Sequence, residues 1–370
     1  MFAEPGVFSF RPPFSQTKDK EKARDRLFLE LSLENLKNEI MEYRRFGNTS
    51  LEVSVVGFGA WAIGGPAMAG DMPIGWGDVT DKQSIRALEH AFERGINFFD
   101  TADLYGYGHS EELIGKTFGN RGDVIIASKL GQRLGEDNRI YLDYSGDYVM
   151  EACEASLRRL RRDSIDFYQL HAARMPHLED GQCIEAMEKL REQGKIRYWG
   201  LSINTFAPAP EAEFLMERQL GHGFQLVLNL INQRAVPVMK KAAEMGYGII
   251  ARMPLQFGLL TGKFDKNTRF EKADHRSFRL TPPILEASLN ALEPAWPIAE
   301  KYGISKTELA MSFITSFPEV STVIPGIKTA EQADRNTSGL VKLDKGDHEF
   351  LQQLFDDNFQ PLLEMMLQAG

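Results

Sequence analysis

The strongest constraint in this sequence is an alternation repeated eight times. From residue 53 onward, short apolar runs rich in β-branched and aromatic residues alternate with longer segments of helical periodicity. The runs predict strands at 53–56, 96–99, 124–127, 165–168, 196–201, 224–228, 248–251 and 322–324. Helix starts are marked by Thr80 with Gln83, Ser305 with Glu308, and Thr329 with Gln332, each a capping-box spacing. Helices are expected over 80–94, from Ser110, and over 147–162 and 179–193, with Gly95 and Gly194 as stops. Strand–helix alternation calls for parallel strands joined by crossover helices. Eight such units, with no Pro-, Gly- or Ser-rich linker between them, favour one closed α/β barrel of (β/α)₈ type over an open sheet.

Several segments decorate that barrel. A strand-turn-strand over 43–53, turning at Gly47-Asn48, is expected to close its bottom. Residues 254–287 read as an inserted loop after strand seven, and 345–370 as a C-terminal helix and tail. The barrel is assigned to 41–370. Residues 1–40 form an N-terminal extension, read as a tail or docking helix with Leu27, Leu31, Leu33, Leu36 and Ile40 on one face. It has no apolar run like a secretory signal, and Glu4, Asp19, Glu21 and Asp25 argue against a transit peptide. Met41 is an expected alternative start.

Composition narrows the function. Lys and Arg number 43 against 52 Asp and Glu, a net charge of −9, which argues against a nucleic-acid binder. Cys153 and Cys183 are the two cysteines, too few for a disulfide framework, and suggest the reducing cytoplasm. There is no C-x-x-C, and His171 and His177 are six apart, so no metal site is expected. No run of 18 apolar residues suggests membrane insertion.

In a barrel, chemistry gathers where strands end and βα loops begin. Strand two runs into Asp100-Thr-Ala-Asp-Leu-Tyr105-Gly, strand three into Ser128-Lys129, and strand four into Gln169-Leu-His171. Asp, Tyr, Lys and His are thus delivered towards one point. A phenol titrates near pH ~10, too high for an efficient acid at neutrality, and a neighbouring ammonium lowers that value. A carboxylate holds the ammonium, and imidazole orients a substrate oxygen. Trp61, Trp76, Leu104, Tyr107 and Phe257 are expected to supply apolar pocket walls suited to a small carbonyl substrate.

Asp100-Thr-Ala-Asp-Leu-Tyr105-Gly, Ala127-Ser-Lys129, Leu170-His171, Gly200-Leu-Ser202 and Ile324-Pro-Gly326 together resemble the aldo-keto reductase superfamily, from about Tyr43 to about Leu354. Arg252-Met-Pro-Leu255 and Gly258-Leu-Leu-Thr-Gly262-Lys263 are similar to the bacterial sugar and inositol-operon reductases. The resemblance implies a TIM barrel and a catalytic tetrad of Asp100, Tyr105, Lys129 and His171. Tyr105 would protonate the carbonyl oxygen as hydride arrives from a reduced nicotinamide. It implies that Ser202 and Gln225 hold the carboxamide and that Arg252 stacks on the ring. Pro254, Leu255, Gly258, Leu259 and Lys263 would line the pyrophosphate, and Gly326, Lys328, Gln332 and Asn336 the adenosine end. The Asn that usually follows the Ser is Ile203 here, with Asn204 one later. Lys328, just before a capped helix, favours NADP(H), with NAD(H) as the second choice.

Other readings compete. Gly57-Phe-Gly-Ala-Trp-Ala62 fits G-x-G-x-x-A after a strand, but Gly64-Gly65-Pro66 follows where a Rossmann helix would open. A nucleotide-binding regulatory subunit of a larger complex is the main alternative, with residues 1–40 as its arm. A barrel lyase using Lys129 as a Schiff base is a third. A homo-oligomer is compatible with all of them.

Overall fold

A computed structural model describes residues 1, 41–271 and 274–368. The expected face of Leu27, Leu31, Leu33, Leu36 and Ile40 lies outside them. The barrel lies in the unit Met41–Gly370. Its strands β1 (Phe58–Gly59), β2 (Phe98–Asp100), β3 (Ile125–Leu130), β4 (Ile165–His171), β5 (Ile196–Ser202), β6 (Gly223–Val227), β7 (Gly248–Arg252) and β8 (Thr322–Ile324) form one parallel sheet in sequence order. Val56 and Gly59 bridge to Val323 and Gly326, and Gly59 N donates to Pro325 O at 2.9 Å. The barrel is therefore closed, leaving no long free strand edge. A Cβ at residue 59 would lie 2.8 Å from Pro325 O, so close approach of β1 and β8 explains that glycine. A single 3₁₀ turn, Ala62–Gly64, follows it rather than a phosphate-binding α-helix, which removes the Rossmann reading.

The first strand is shifted from its expected place. Glu52–Ser54 pairs antiparallel with Tyr43–Arg45, so the run at 53–56 is shared between this hairpin and the barrel's entry. The hairpin plugs the barrel floor. Phe46, fully buried at its turn, packs with Leu51, Val53, Phe98, Ile125, Ala127, Phe167, Ile250 and Ile324.

The crossover helices are α1 (Asp81–Glu93), α2 (His109–Thr117), α3 (Gly146–Leu160), α4 (Gln182–Glu192), α5 (Ala209–Glu217), α6 (Val236–Glu244), α7 (Lys306–Thr315) and α8 (Ala330–Thr337). Thr80 caps α1, and Ser305 with Glu308 completes a capping box on α7. At α8 only half the box forms, because Gln332 Oε1 accepts from Lys328 N instead of Thr329 N. α2 starts one residue before Ser110, whose hydroxyl donates inward to Ala60 O at 2.9 Å. The segment after β7 holds the turn Gln256–Thr261 and helices Arg276–Arg279 and Pro282–Leu292. Over 345–368 the C-terminal stretch is packed: helices Lys345–Leu354 and Gln360–Gln368 and the helical turn Phe355–Phe359 between them bury Leu351, Leu354, Phe359, Leu362, Leu363 and Met366. Among the described residues, no helix is long and apolar enough to cross a membrane.

Candidate active site

Strand side chains alternate between the two faces of a sheet, so one parity of each strand points into the barrel. In β2 to β4 that parity reads Phe98 then Asp100, Ile125 and Ala127 then Lys129, and Phe167 then Gln169 and His171. The apolar members form the floor around Phe46. The polar members form the layer above it, at the C-terminal strand ends. The apolar runs in the sequence stop short of these residues, which is why β2, β3 and β4 extend past the expected strands to Asp100, Leu130 and His171.

Lys129 organises this layer. Its Nζ donates to Asp100 Oδ2 at 2.6 Å, to Thr101 O at 2.8 Å and to Tyr105 OH at 3.3 Å. Lys129 is wholly buried and Asp100 nearly so. Burial pulls the ammonium's pKa down, but Asp100 and Tyr105 pull it up by more, so the net shift is upward. The other carboxylate oxygen of Asp100 accepts from Gln225 Nε2 at 2.6 Å and Gln169 Nε2 at 3.2 Å. The carboxylate is thus held on both oxygens.

The Tyr105 phenol behaves differently from the sequence expectation. Burial raises its pKa, and the pull of Lys129 downward does not cancel this, so the net shift is above the ordinary tyrosine value. The phenol is a protonated donor at neutral pH. The His171 ring meets the Tyr105 ring edge-on with centroids 6.0 Å apart. Burial, then the charges of Lys129 and Arg252, holds the imidazole well below its ordinary pKa, so it is neutral. Its Nδ1 is buried without a hydrogen-bond partner among the described residues.

The remaining expected residues fall into three groups. Ser202, at the end of β5, lies beside Gln225, in the middle of β6, and next to His171 across the β4–β5 pairing. Arg252 ends β7; its Nη2 donates to Ile203 O at 3.1 Å and Thr205 Oγ1 at 3.2 Å, while Nε finds no partner among the described residues. Asn204 Oδ1 accepts from Phe206 N and Ala207 N and is spent on a turn. Pro254, Leu255, Gly258 and Leu259 belong to a loop with left-handed backbone at Met253, Gln256, Phe257 and Gly258. Leu259 is buried in the core and Lys263 is exposed. At the other end, Gly326 faces open space, Lys328 is half-buried, Gln332 is tied to Lys328 N, and Asn336 is buried with Oδ1 unpartnered among the described residues.

The expected pocket residues separate into two places. Trp61 lies with its ring centroid 6.3 Å from that of Tyr105 and 5.5 Å from that of Trp76. Phe257 joins this group through His275, which stacks on Trp61 at 5.3 Å. Leu104 and Tyr107 do not join it. They line a separate cavity of about 250 Å³ with Asp103, Arg133, Tyr148 and Arg159.

Two residues near the site carry weaker sequence signals. Gln169 is legible in principle, two positions before His171 on the same strand face. His275, in the inserted segment, has no periodic signal. Among the described residues, no cluster of His, Cys, Asp or Glu is able to hold a metal ion.

Comparison with known proteins identifies the family. The model of the Aldo/keto reductase family matches residues 55–356. The aldo-keto reductase YhdN of Bacillus subtilis (strain 168) is 32% identical over 306 residues, 80% of this chain and 87% of that one. The aldo-keto reductase yakc [NADP(+)] of Schizosaccharomyces pombe is 30% identical over 313 residues, 81% of this chain and 87% of that one. The solved glycerol dehydrogenase of Gluconobacter oxydans is 28% identical, with a TM-score of 0.73 over 85% of this chain and 95% of that one. The chain belongs to the aldo/keto reductase family.

Proposed function

We propose that this protein reduces a small aldehyde or ketone with NADPH, Tyr105 acting as the general acid. The observation that carries the reading is the Lys129 ammonium, hydrogen-bonded at once to Asp100 and to the Tyr105 hydroxyl. Residues on this chain suit the cofactor. The unpartnered Oδ1 of buried Asn336 on α8, and the open space beside Gly326, suit the adenosine end. Lys328, ahead of the capped α8, suits a 2′-phosphate, and the Schizosaccharomyces pombe relative is named for NADP(+). Ser202, Gln225 and Arg252 would hold the nicotinamide end, and the loop from Pro254 to Lys263 the pyrophosphate.

A bound reduced nicotinamide supplies the hydride. The chain's residues do the rest. Neutral His171 donates a hydrogen bond to the substrate oxygen and polarises the carbonyl. Tyr105 passes its hydroxyl proton to that oxygen. The phenolate left behind is stabilised by Lys129, whose charge Asp100 fixes in place. The same ammonium disfavours a Schiff-base lyase, which requires a neutral amine. Free, buried Cys153 and Cys183 suit a cytoplasmic enzyme.

The test pairs NADPH binding, followed by cofactor fluorescence, with reduction of an activated aromatic aldehyde. Tyr105→Phe should lose turnover by roughly 10²–10⁴-fold while NADPH affinity changes little. Absence of NADPH binding, or full activity in Tyr105→Phe, would overturn the reading.

A further inference from the structure

We propose that Gln169 is a positioning residue for the proton transfer: its amide holds the far oxygen of the Asp100 carboxylate and leaves the Lys129 ammonium free to serve the Tyr105 oxygen. The role rests on the carbonyl-reductase reading above and adds a member to its machinery.

Gln169 is wholly buried on β4, between Phe167 in the floor and His171 at the strand end. Across the β3–β4 pairing its direct partner is Lys129, and across the β4–β5 pairing it is Gly200, which supplies no side chain. Its Nε2 donates to Asp100 Oδ1 at 3.2 Å, while its Oε1 has no hydrogen-bond partner among the described residues. Turning the amide over would set its carbonyl oxygen against the carboxylate, so the donor end faces Asp100. An acceptor left unmet in the interior is a cost, and an apolar side chain of the same length would avoid it. The bond to a charged oxygen offsets that cost. Gln225 also donates to Asp100 Oδ1, at 2.6 Å. That amide has a second duty, since it lies beside Ser202 and would hold the nicotinamide end. Gln169 Nε2 bonds Asp100 and nothing else among the described residues.

The distances explain why the far oxygen matters. Lys129 Nζ lies 2.6 Å from Asp100 Oδ2 and 3.3 Å from Tyr105 OH. Once the phenol gives up its proton, one ammonium serves two anions. A donor on Oδ1 draws charge away from Oδ2, which weakens the hold of Asp100 on the ammonium and strengthens its field at the phenolate. The same bond fixes the carboxylate plane, and with it the position of Nζ. Both effects act as charge develops on the Tyr105 oxygen, so they enter kcat and not KM. The titratable and charged groups of this layer are Asp100 on β2, Tyr105 in the loop after it, Lys129 on β3, His171 on β4 and Arg252 on β7.

The experiment follows reduction of para-nitrobenzaldehyde by NADPH across pH in the unaltered protein, Gln169→Met and Gln169→Glu. Gln169→Met keeps the length and loses the donor; its kcat should fall by about 5–50-fold, with KM changed by less than about twofold. Gln169→Glu keeps a donor only while its carboxyl is protonated, a state that burial and Asp100 favour. Its kcat should exceed that of Gln169→Met at acid pH and fall as pH rises, earlier than in the unaltered protein. Packing alone would scale the profile down without this recovery. Urea unfolding gives a reading free of turnover. Gln169→Met should cost less stability in an Asp100→Asn background, where no charge is left for the amide to meet, than in the unaltered protein. Equal costs, or a Gln169→Met variant as active as the unaltered protein, overturn this role and leave the carbonyl reading standing. If Gln169→Met does not fold, Gln169→Glu against the unaltered protein decides, and a profile of unchanged shape overturns the role. Failure of the unaltered protein to reduce the aldehyde, with NADPH bound, removes both.

Discussion

Lys129 Nζ and Asp100 Oδ2 sit 2.6 Å apart where neither side chain reaches solvent. An ion pair so placed is costly to break from one side, because removal of one partner leaves the other charge buried and alone. Lys129→Met should therefore lower stability by roughly 3–5 kcal/mol as well as abolishing turnover. The double variant Asp100→Asn/Lys129→Met should be more stable than Lys129→Met, although equally inactive. Urea unfolding of the three variants checks this; additive losses would refute the coupling.

A second titrating group lies beside the site. Burial, reinforced by the charge of Glu111, pushes the Asp103 carboxyl up to about 8, against the opposing pull of Arg159. Its ordinary value is 3.8. Between these values the folded protein holds a proton that the unfolded chain releases. Its contribution to stability is complete below about pH 4 and is lost as pH rises through about 8. The melting temperature should thus carry a downward slope between about pH 5 and pH 8 that Asp103→Asn reduces. Thermal unfolding across that range measures it, and an identical slope in both proteins would refute the assignment.

The loop carrying Tyr105 depends on a glycine. Gly106 has φ +61°, and a Cβ there would lie 2.2 Å from Gly64 O. Alanine is strained by the dihedral and blocked by the contact, so the loop must move and Tyr105 with it. Gly106→Ala should reduce kcat by at least about tenfold, since small misplacement of a reacting group is expensive. Cofactor affinity should stay near that of the unaltered protein, because the added Cβ presses on Gly64 and not on Asn336 or Lys328.

The barrel is legible in the sequence because its signal is repeated. Eight apolar runs and their capping residues survive an error at any one of them. The misplacement at 53–56 arises because two strand-like tasks share one β-branched run. Asp100, Lys129 and His171 are legible as polar residues at strand ends, where apolar alternation alone gives no reason for them. The phenol's net upward shift is not, because it depends on burial, which only packing decides. His275 is invisible for a similar reason. It lies in the segment after β7, and two of the rings around it, Trp61 and Trp76, come from the distant loop between β1 and α1.

The floor and the polar layer above it should be separable by mutation. Phe46 is fully buried at the hairpin turn, its ring centroid 4.9 Å from that of Phe167. Phe167 lies on the same face of β4 as Gln169 and His171, at the opposite end of that row. Phe46→Ala leaves a cavity in the apolar floor and should cost about 3–5 kcal/mol. The polar layer is braced by its own hydrogen bonds, from Lys129 to Asp100 and from Gln225 to Asp100. Turnover per folded molecule, measured well below the new melting temperature, should therefore stay within about threefold of the unaltered protein. A large drop in kcat at full folding would mean that the floor positions Lys129 and His171 directly, and that the barrel interior acts as one unit rather than two layers.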